Sequence, residues 1–352
     1  MPTFDKESRR LLNAARILGS QGLSVFLEDH ELLRLCGMIA CDLEREDLAI
    51  SILGQDLPGD YFSTPLDWFQ QPLSMEITLE EFFLLIKQEL EDFPTYFRAL
   101  CELHKRRRKF KLILEHQPLP ELSPIVPRSL LEYGQRPSES LASWLVWRKW
   151  LYDIDNRAAQ ETGYLFEPIL AAAIGGVPCA AAKSPIKRAA NPLKGRQVDC
   201  LDGRQAYEFK MRVTIAASGQ GRFQEELDFA RDCHQSGYTP ILLVLDPTPS
   251  PRLESLSKAY SDYGGKAYVG NQAWEHIAAR AGGVMSRFVE KYIHIPLREV
   301  GHGYSTLLPI QLANEDNSLT IRVGNQSFTL SRRTTSEIIE TLSDGQARPD
   351  SK

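Results

Sequence analysis

Residues 195–212 read GRQVDCLDGRQAYEFKMR, from which two short strands can be drawn, Val198 to Cys200 and Ala206 to Phe209. Between them lies Asp202-Gly203, a strong short-range signal for a tight hairpin. With Asp202 and Gly203 as the two turn residues, Cys200 faces Gln205 and Asp199 faces Ala206. Side chains alternate along a strand, so Asp199, Ala206, Glu208 and Lys210 share one side of the sheet. Asp199 and Glu208 are then diagonal neighbours, about 7–8 Å apart at the backbone, with carboxylates able to converge. Lys210 follows one alternation beyond Glu208.

Two carboxylates and an ammonium on one face have a chemical use. Carboxylate oxygens are ligands that Mg²⁺ accepts, one or two at a time, with waters and phosphate oxygens completing its shell. The metal lowers the pKa of a bound water and neutralises charge developing on phosphorus. A lysine beside it can orient or deprotonate the attacking water, or stabilise the transition state as a fixed cation. An exposed hairpin carrying a solvated ion pair has the same letters, so the flanking chain must discriminate.

Upstream, Lys183, Lys187, Arg188, Lys194 and Arg196 occur with almost no acid, a cationic approach suited to a phosphodiester. Downstream come Arg212 and then Ser218-Gly-Gln-Gly-Arg222, which leads into a helix from Phe223 to His234. Free N–H groups point outward at a helix start, so Gln220, Arg222 and Gln224 join the expected DNA contacts, while Glu225 and Glu226 read as structural or supporting. The glycines do not form GxxxxGK[ST], and no nucleotide cofactor is expected. Pro240 to Asp246 is an unbroken apolar run, the mark of a central parallel strand buried on both faces. Helix Arg252 to Tyr263, strand Lys266 to Gly270 and helix Asn271 to Arg280 follow, an alternation that gives an α/β sandwich. Before the hairpin, ETGYLFEPILAAAI (Glu161 to Ile174) reads as a helix stopped by Gly175-Gly176, with a first strand near Val177 to Ala182.

Asp199, then Glu208-Phe209-Lys210 on a hairpin followed by a helix, resembles the PD-(D/E)xK nuclease superfamily; Val198 stands where that superfamily usually has Pro. The segments RVTIAASGQGRFQEELDFARD (212–232) and SGYTPILLVLDPTPSPRLESL (236–256) are similar to the ApaLI-like type II restriction endonucleases, a resemblance that runs roughly from Glu161 to Pro296. It implies an α/β (α+β) fold with an α-β-β-β-α-β core, a mixed sheet flanked by helices. It also implies Mg²⁺ held by Asp199 and Glu208, and Lys210 assisting the water. Glu167, from the helix before the first strand, completes or supports that site, unless it is a surface residue beside a kink at Pro168; Glu161 is a second candidate. The implied substrate is double-stranded DNA, cut at a palindromic six-base target, GTGCAC, within a restriction-modification system. A palindrome presents two equivalent phosphodiesters to a two-fold pair of subunits, so a homodimer is expected. Base discrimination would come from major-groove contacts.

Further out, residues 1–137 read as mostly helical. Glu7 to Leu18, Glu28 to Leu48 (broken near Gly37), a helix opened by the capping box Thr78-Leu-Glu-Glu81, and Pro94 to Leu114 are the candidates. The last contains His104-Lys-Arg-Arg-Arg-Lys109, a solvated face or a phosphate track. Gln117 to Arg136 is a Pro-rich crossing segment, and Ser138 to Arg157, with Trp144, Trp147 and Trp150 at helical spacing, reads as a buried core helix. Residues 138–296 form the expected nuclease core. Residues 297–345 form a β-rich segment, packed on the core or reaching a groove, with a final helix Ser331 to Leu342; 346–352 form a tail.

The 352 residues, 43% hydrophobic and 25% charged, are those of an ordinary globular protein, and no apolar run is long enough to span a membrane. Six cysteines without zinc or CxxC spacing are expected as reduced thiols in a cytoplasmic protein. A net charge of −5 excludes an evenly basic surface but leaves room for a local basic patch. Two other readings stand beside the endonuclease: a non-catalytic DNA-binding module on the same core, and a repair or resolving nuclease that reads structure.

Overall fold

The computed structural model describes residues 5–18, 23–54, 57, 59–73, 77–134, 138–211, 220–301 and 307–331. The expected helix Ser331 to Leu342 after its first residue, the tail 346–352 and Arg212 lie outside them. The chain divides into two compact units. One comprises Met1–Glu91, Leu100–Glu161 and His302–Lys352; the other comprises Asp92–Ala99 and Thr162–Gly301. The division falls at 161/162, inside a helix.

The first unit is built mainly from helices: α1 (Lys6–Arg16), α2 (Asp29–Asp42), α3 (Glu46–Leu53), α4 (Leu66–Gln70), α5 (Leu79–Glu89), most of α6 (Phe93–His116), α7 (Val126–Glu132) and the first part of α8 (Glu139–Ile174). A two-strand ladder, β1 (Ile17–Leu18) and β2 (Val25–Phe26), joins α1 to α2. Thr78 and Glu81 form the reciprocal capping box at the start of α5. The break expected at Gly37 comes instead after Asp42, where Glu44 adopts φ 64°. Gly37 serves packing: a Cβ there would sit 2.4 Å from Leu53 Cδ1, so glycine lets α3 lie against α2.

The basic run on α6 is neither a solvated face nor an open phosphate track. His104 and Lys105 are fully buried. Lys105 donates to the carbonyls of Ala14 and Ile17 at the end of α1. Arg108 reaches Glu31, and Arg106 and Lys109 both reach Glu161. Long basic side chains here tie neighbouring helices together, because buried charge persists only when paired.

Ser138 to Arg157 and Glu161 to Ile174 are one continuous helix, α8, of 36 residues. Trp150 is buried, but Trp144 is 49% exposed and donates through Nε1 to the Tyr133 hydroxyl. Leu141 and Leu145 form the buried stripe against Ile125, and Trp144 lies off it. The carboxyl end of the unit is an antiparallel meander, β10 (Ile310–Glu315), β11 (Ser318–Val323) and β12 (Gln326–Ser331).

In the second unit, α8 leads into β3 (Val177–Cys179) and a small hairpin, β4 (Lys187–Arg188) with β5 (Asn191–Gly195). Then come β6 (Val198–Asp202), β7 (Gln205–Lys210), α9 (Gln220–Gln235), β8 (Thr239–Val244), α10 (Pro251–Asp262), β9 (Lys266–Val269) and α11 (Asn271–Arg280). Helix α12 (Gly283–Val289), a π-helical turn Glu290–His294 and α13 (Ile295–Gly301) close the unit. The five-stranded sheet runs β3-β6-β7-β8-β9, antiparallel through β7 and parallel from β7 to β9. The apolar run of β8 sits inside it, as an all-buried parallel strand requires. One face carries Ala206, Leu242 and Val244, covered by Phe229, Ala230 and Cys233 of α9 and Leu253, Leu256 and Tyr260 of α10. This is the expected mixed α/β core. The six cysteines are all free thiols, and among the described residues no helix is long and apolar enough to cross a membrane.

Candidate active site

The site starts from the turn between β6 and β7. Asp202 pairs with Gln205, Leu201 with Ala206 and Cys200 with Tyr207, so the turn residues are Gly203 and Arg204 rather than Asp202 and Gly203. Gly203 has φ 56° and Arg204 has no positive φ, the pattern of a type II′ turn with Gly first. The register differs from the expected one by two residues. An even shift leaves every side chain on its face. In the paired part of the hairpin, Leu201 rather than Asp199 lies opposite Ala206.

Backbone pairing between the strands ends at Cys200 and Tyr207. Beyond it the Asp199 carboxylate takes over: Phe209 N donates to Asp199 Oδ2 at 2.8 Å. That bond fixes Asp199 in a buried position, 8% exposed. Burial pushes the Asp199 carboxyl well above the ordinary carboxylate range, and the charges of Glu208 and Glu167 push it further; the Phe209 N–H and Lys210 oppose this without cancelling it. Glu167, half-buried on α8, is thus one of the carboxylates that Asp199 feels.

Lys210 Nζ lies 2.8 Å from Glu208 Oε1 and 3.3 Å from Glu226 Oε1 on α9. Burial alone would lower the Lys210 pKa, but Glu208 and Glu226 more than offset it and hold the ammonium above the ordinary lysine value. Glu226 Oε2 is buried with no hydrogen-bond partner among the described residues. Sequence reasoning gave this residue only a supporting place. The signal available was its position in the stripe Phe223, Glu226, Ala230, Cys233, which is otherwise apolar.

The donor set is all oxygen, the chemistry of a hard divalent cation. Among the described residues no group of three or more His, Cys, Asp and Glu is spaced to enclose a metal. An ion held here by Asp199 and Glu208 therefore depends on waters or substrate oxygens for the rest of its shell, as Mg²⁺ commonly does. The orphaned, buried Glu226 Oε2 fits such a hydrated ion.

The basic segment before the hairpin divides in two. Arg196 is buried, with Nε donating to Asp232 Oδ2 at 2.8 Å and Nη1 to Glu225 Oε2 at 2.9 Å. Arg188 donates to both oxygens of Glu225. These two arginines fasten the β4–β5 hairpin and the strand that follows to α9. Lys183, Lys187 and Lys194 are exposed, with Lys187 Nζ also reaching the Ser184 carbonyl. Gln224 is exposed and donates to Asp228. Gln220 and Arg222 lie in the first turn of α9, their side chains outside the described residues, as is Arg212. Glu161 is occupied by Arg106 and Lys109.

No solved structure matches the chain. A type II restriction enzyme, ApaLI, from Acetobacter pasteurianus is 44% identical over 354 aligned residues, covering 93% of this chain and 94% of that protein. The sequence profile of the ApaLI-like restriction endonucleases matches residues 68–294, a span that includes the whole hairpin and α9. With that match over more than half its length, the chain belongs to the ApaLI-like restriction endonuclease family.

Proposed function

We propose that the protein is a type II restriction endonuclease that hydrolyses phosphodiester bonds of double-stranded DNA with Mg²⁺, at the Asp199–Glu208–Lys210 centre. The observation that carries this reading is a buried aspartate that accepts from Phe209 N, the residue between a glutamate and a lysine whose carboxylate and ammonium are 2.8 Å apart. When bound, Mg²⁺ supplies charge neutralisation at the scissile phosphate and acidifies a coordinated water. Asp199 and Glu208 would hold it. Asp199 is already oriented by the Phe209 N–H, so little rotamer freedom is lost on binding. Lys210, kept as an ammonium by two carboxylates, acts as a donor and fixed cation towards the water and the phosphate rather than as a base. Glu167 supports the site through its charge on Asp199.

The family resemblance implies the palindrome GTGCAC, read by a homodimer that places one such centre on each strand. Exposed Lys183, Lys187 and Lys194 beside the hairpin are the favoured phosphate contacts. Digestion of a plasmid bearing one GTGCAC site tests the reading. The expected result is a single linear product with Mg²⁺, none with Ca²⁺, and none from Lys210→Ala or Glu208→Ala. Intact binding without cutting by the unaltered protein would favour a non-catalytic DNA-binding module; smearing would favour a structure-reading nuclease.

A further inference from the structure

We propose that Glu226 is a third carboxylate of the hydrolytic centre: it positions Lys210 through Oε1 and offers Oε2 as acceptor to a water of the metal's shell. The inference rests on the reading of Asp199, Glu208 and Lys210 as a metal-dependent phosphodiesterase centre.

Three observations converge on it. Glu226 occupies a turn of α9 whose other members on that stripe, Phe223, Ala230 and Cys233, pack into the apolar core under the sheet. An apolar residue would bury there at lower cost than a carboxylate. Next, Lys210 already has a partner in Glu208 at 2.8 Å, so Glu226 at 3.3 Å is surplus to a simple ion pair. Among the described residues, Arg188 and Arg196 do not compensate that surplus, since they are committed to Glu225 and Asp232. Finally, Oε2 is buried and lacks a hydrogen-bond partner among the described residues. A buried acceptor left unsatisfied costs about 1–3 kcal/mol. Such an atom at the edge of a negatively charged, lysine-bearing cluster suits a donor that arrives with the metal. Groups just outside a metal's ligands are known to orient its waters in this way.

The test is calorimetric titration of the full chain, free of DNA, with Mg²⁺ alone and with Ca²⁺ alone. Glu226→Gln keeps the shape and one acceptor but removes the charge. Its metal affinity is expected to fall about 10–100-fold, while Glu226→Asp recovers part of the loss. Glu226→Met, an apolar swap suited to the stripe, covers the case in which a buried amide impairs folding; it too must lose metal affinity. Melting temperatures in chelator should not fall for Glu226→Met. Wild-type metal affinity in a folded Glu226→Gln or Glu226→Met protein, with affinity lost in Asp199→Asn, overturns this proposal and leaves the metal-centre reading standing. Undiminished metal affinity in Asp199→Asn overturns the underlying reading instead.

Discussion

Glu161 and Asp199 are both buried carboxylates, 9% and 8% exposed, set in opposite surroundings. Glu161 meets two cations, Arg106 and Lys109, each at 2.8 Å, and they hold its carboxyl below the ordinary range although burial acts the other way. Asp199 meets mainly other carboxylates, and its pKa is driven up. A carboxylate that ties helices together is supplied with excess positive charge from its own chain. One proposed to take a metal is left with excess negative charge, a balance that would cost stability without a cation. Burial alone does not separate the two cases; the sign of the neighbours does.

Substitution at both positions should expose that difference. The largest effect is on cleavage: Asp199→Asn is expected to lower the rate on the order of 10³-fold, from loss of electrostatic stabilisation at the phosphate. Glu161→Gln should leave the rate of the folded enzyme unchanged in the same assay. Stability should respond with opposite signs. Glu161→Gln leaves Arg106 and Lys109 short of their carboxylate and is expected to cost about 3 kcal/mol in denaturant unfolding. Asp199→Asn should raise the melting temperature of the metal-free protein, with a pH dependence that follows from linkage. The folded-state pKa of Asp199 lies above the unfolded value of about 4, so the protonated form's contribution is complete below about pH 4. It is then lost as pH rises through the folded-state pKa. The advantage of Asp199→Asn should therefore grow across that window and level off above it; a gap independent of pH would contradict the assignment.

The smallest effects concern the basic segment. Lys183→Ala and Lys194→Ala should each weaken DNA binding a few-fold and reduce the salt slope by about 1. Arg196→Lys should cost stability instead, because lysine cannot reproduce the forked contact with Asp232. A salt slope changed by Arg196→Lys as much as by the exposed lysines would erase that distinction.

The hairpin, its shared face and the buried β8 were legible in the sequence because each follows from local rules: turn chemistry, two-residue alternation and an unbroken apolar run. An even register error left the faces intact. Other features depended on partners far along the chain. Nothing in His104 to Lys109 reveals that its charges meet Glu31, Glu161 and two carbonyls at the end of α1. The stretch Asp153 to Gln160, DIDNRAAQ, hides the continuity of α8, since Ile154 is its only large apolar residue and so small a signal sets no apolar rhythm. Arg196 and Arg188 looked alike to Lys194 until Asp232 and Glu225 were brought alongside. Glu226 carried a faint signal, a lone charge in an apolar stripe, whose meaning needed Lys210 in space.

The most direct test of the charge-imbalance account is a thermal melt of the wild-type protein and Asp199→Asn, each in chelator and in millimolar Mg²⁺. The account predicts that Asp199→Asn melts higher than wild type in chelator, and that Mg²⁺ raises the wild-type melting temperature by several degrees while leaving the variant unmoved. Equal shifts in both proteins, or none in either, would contradict it.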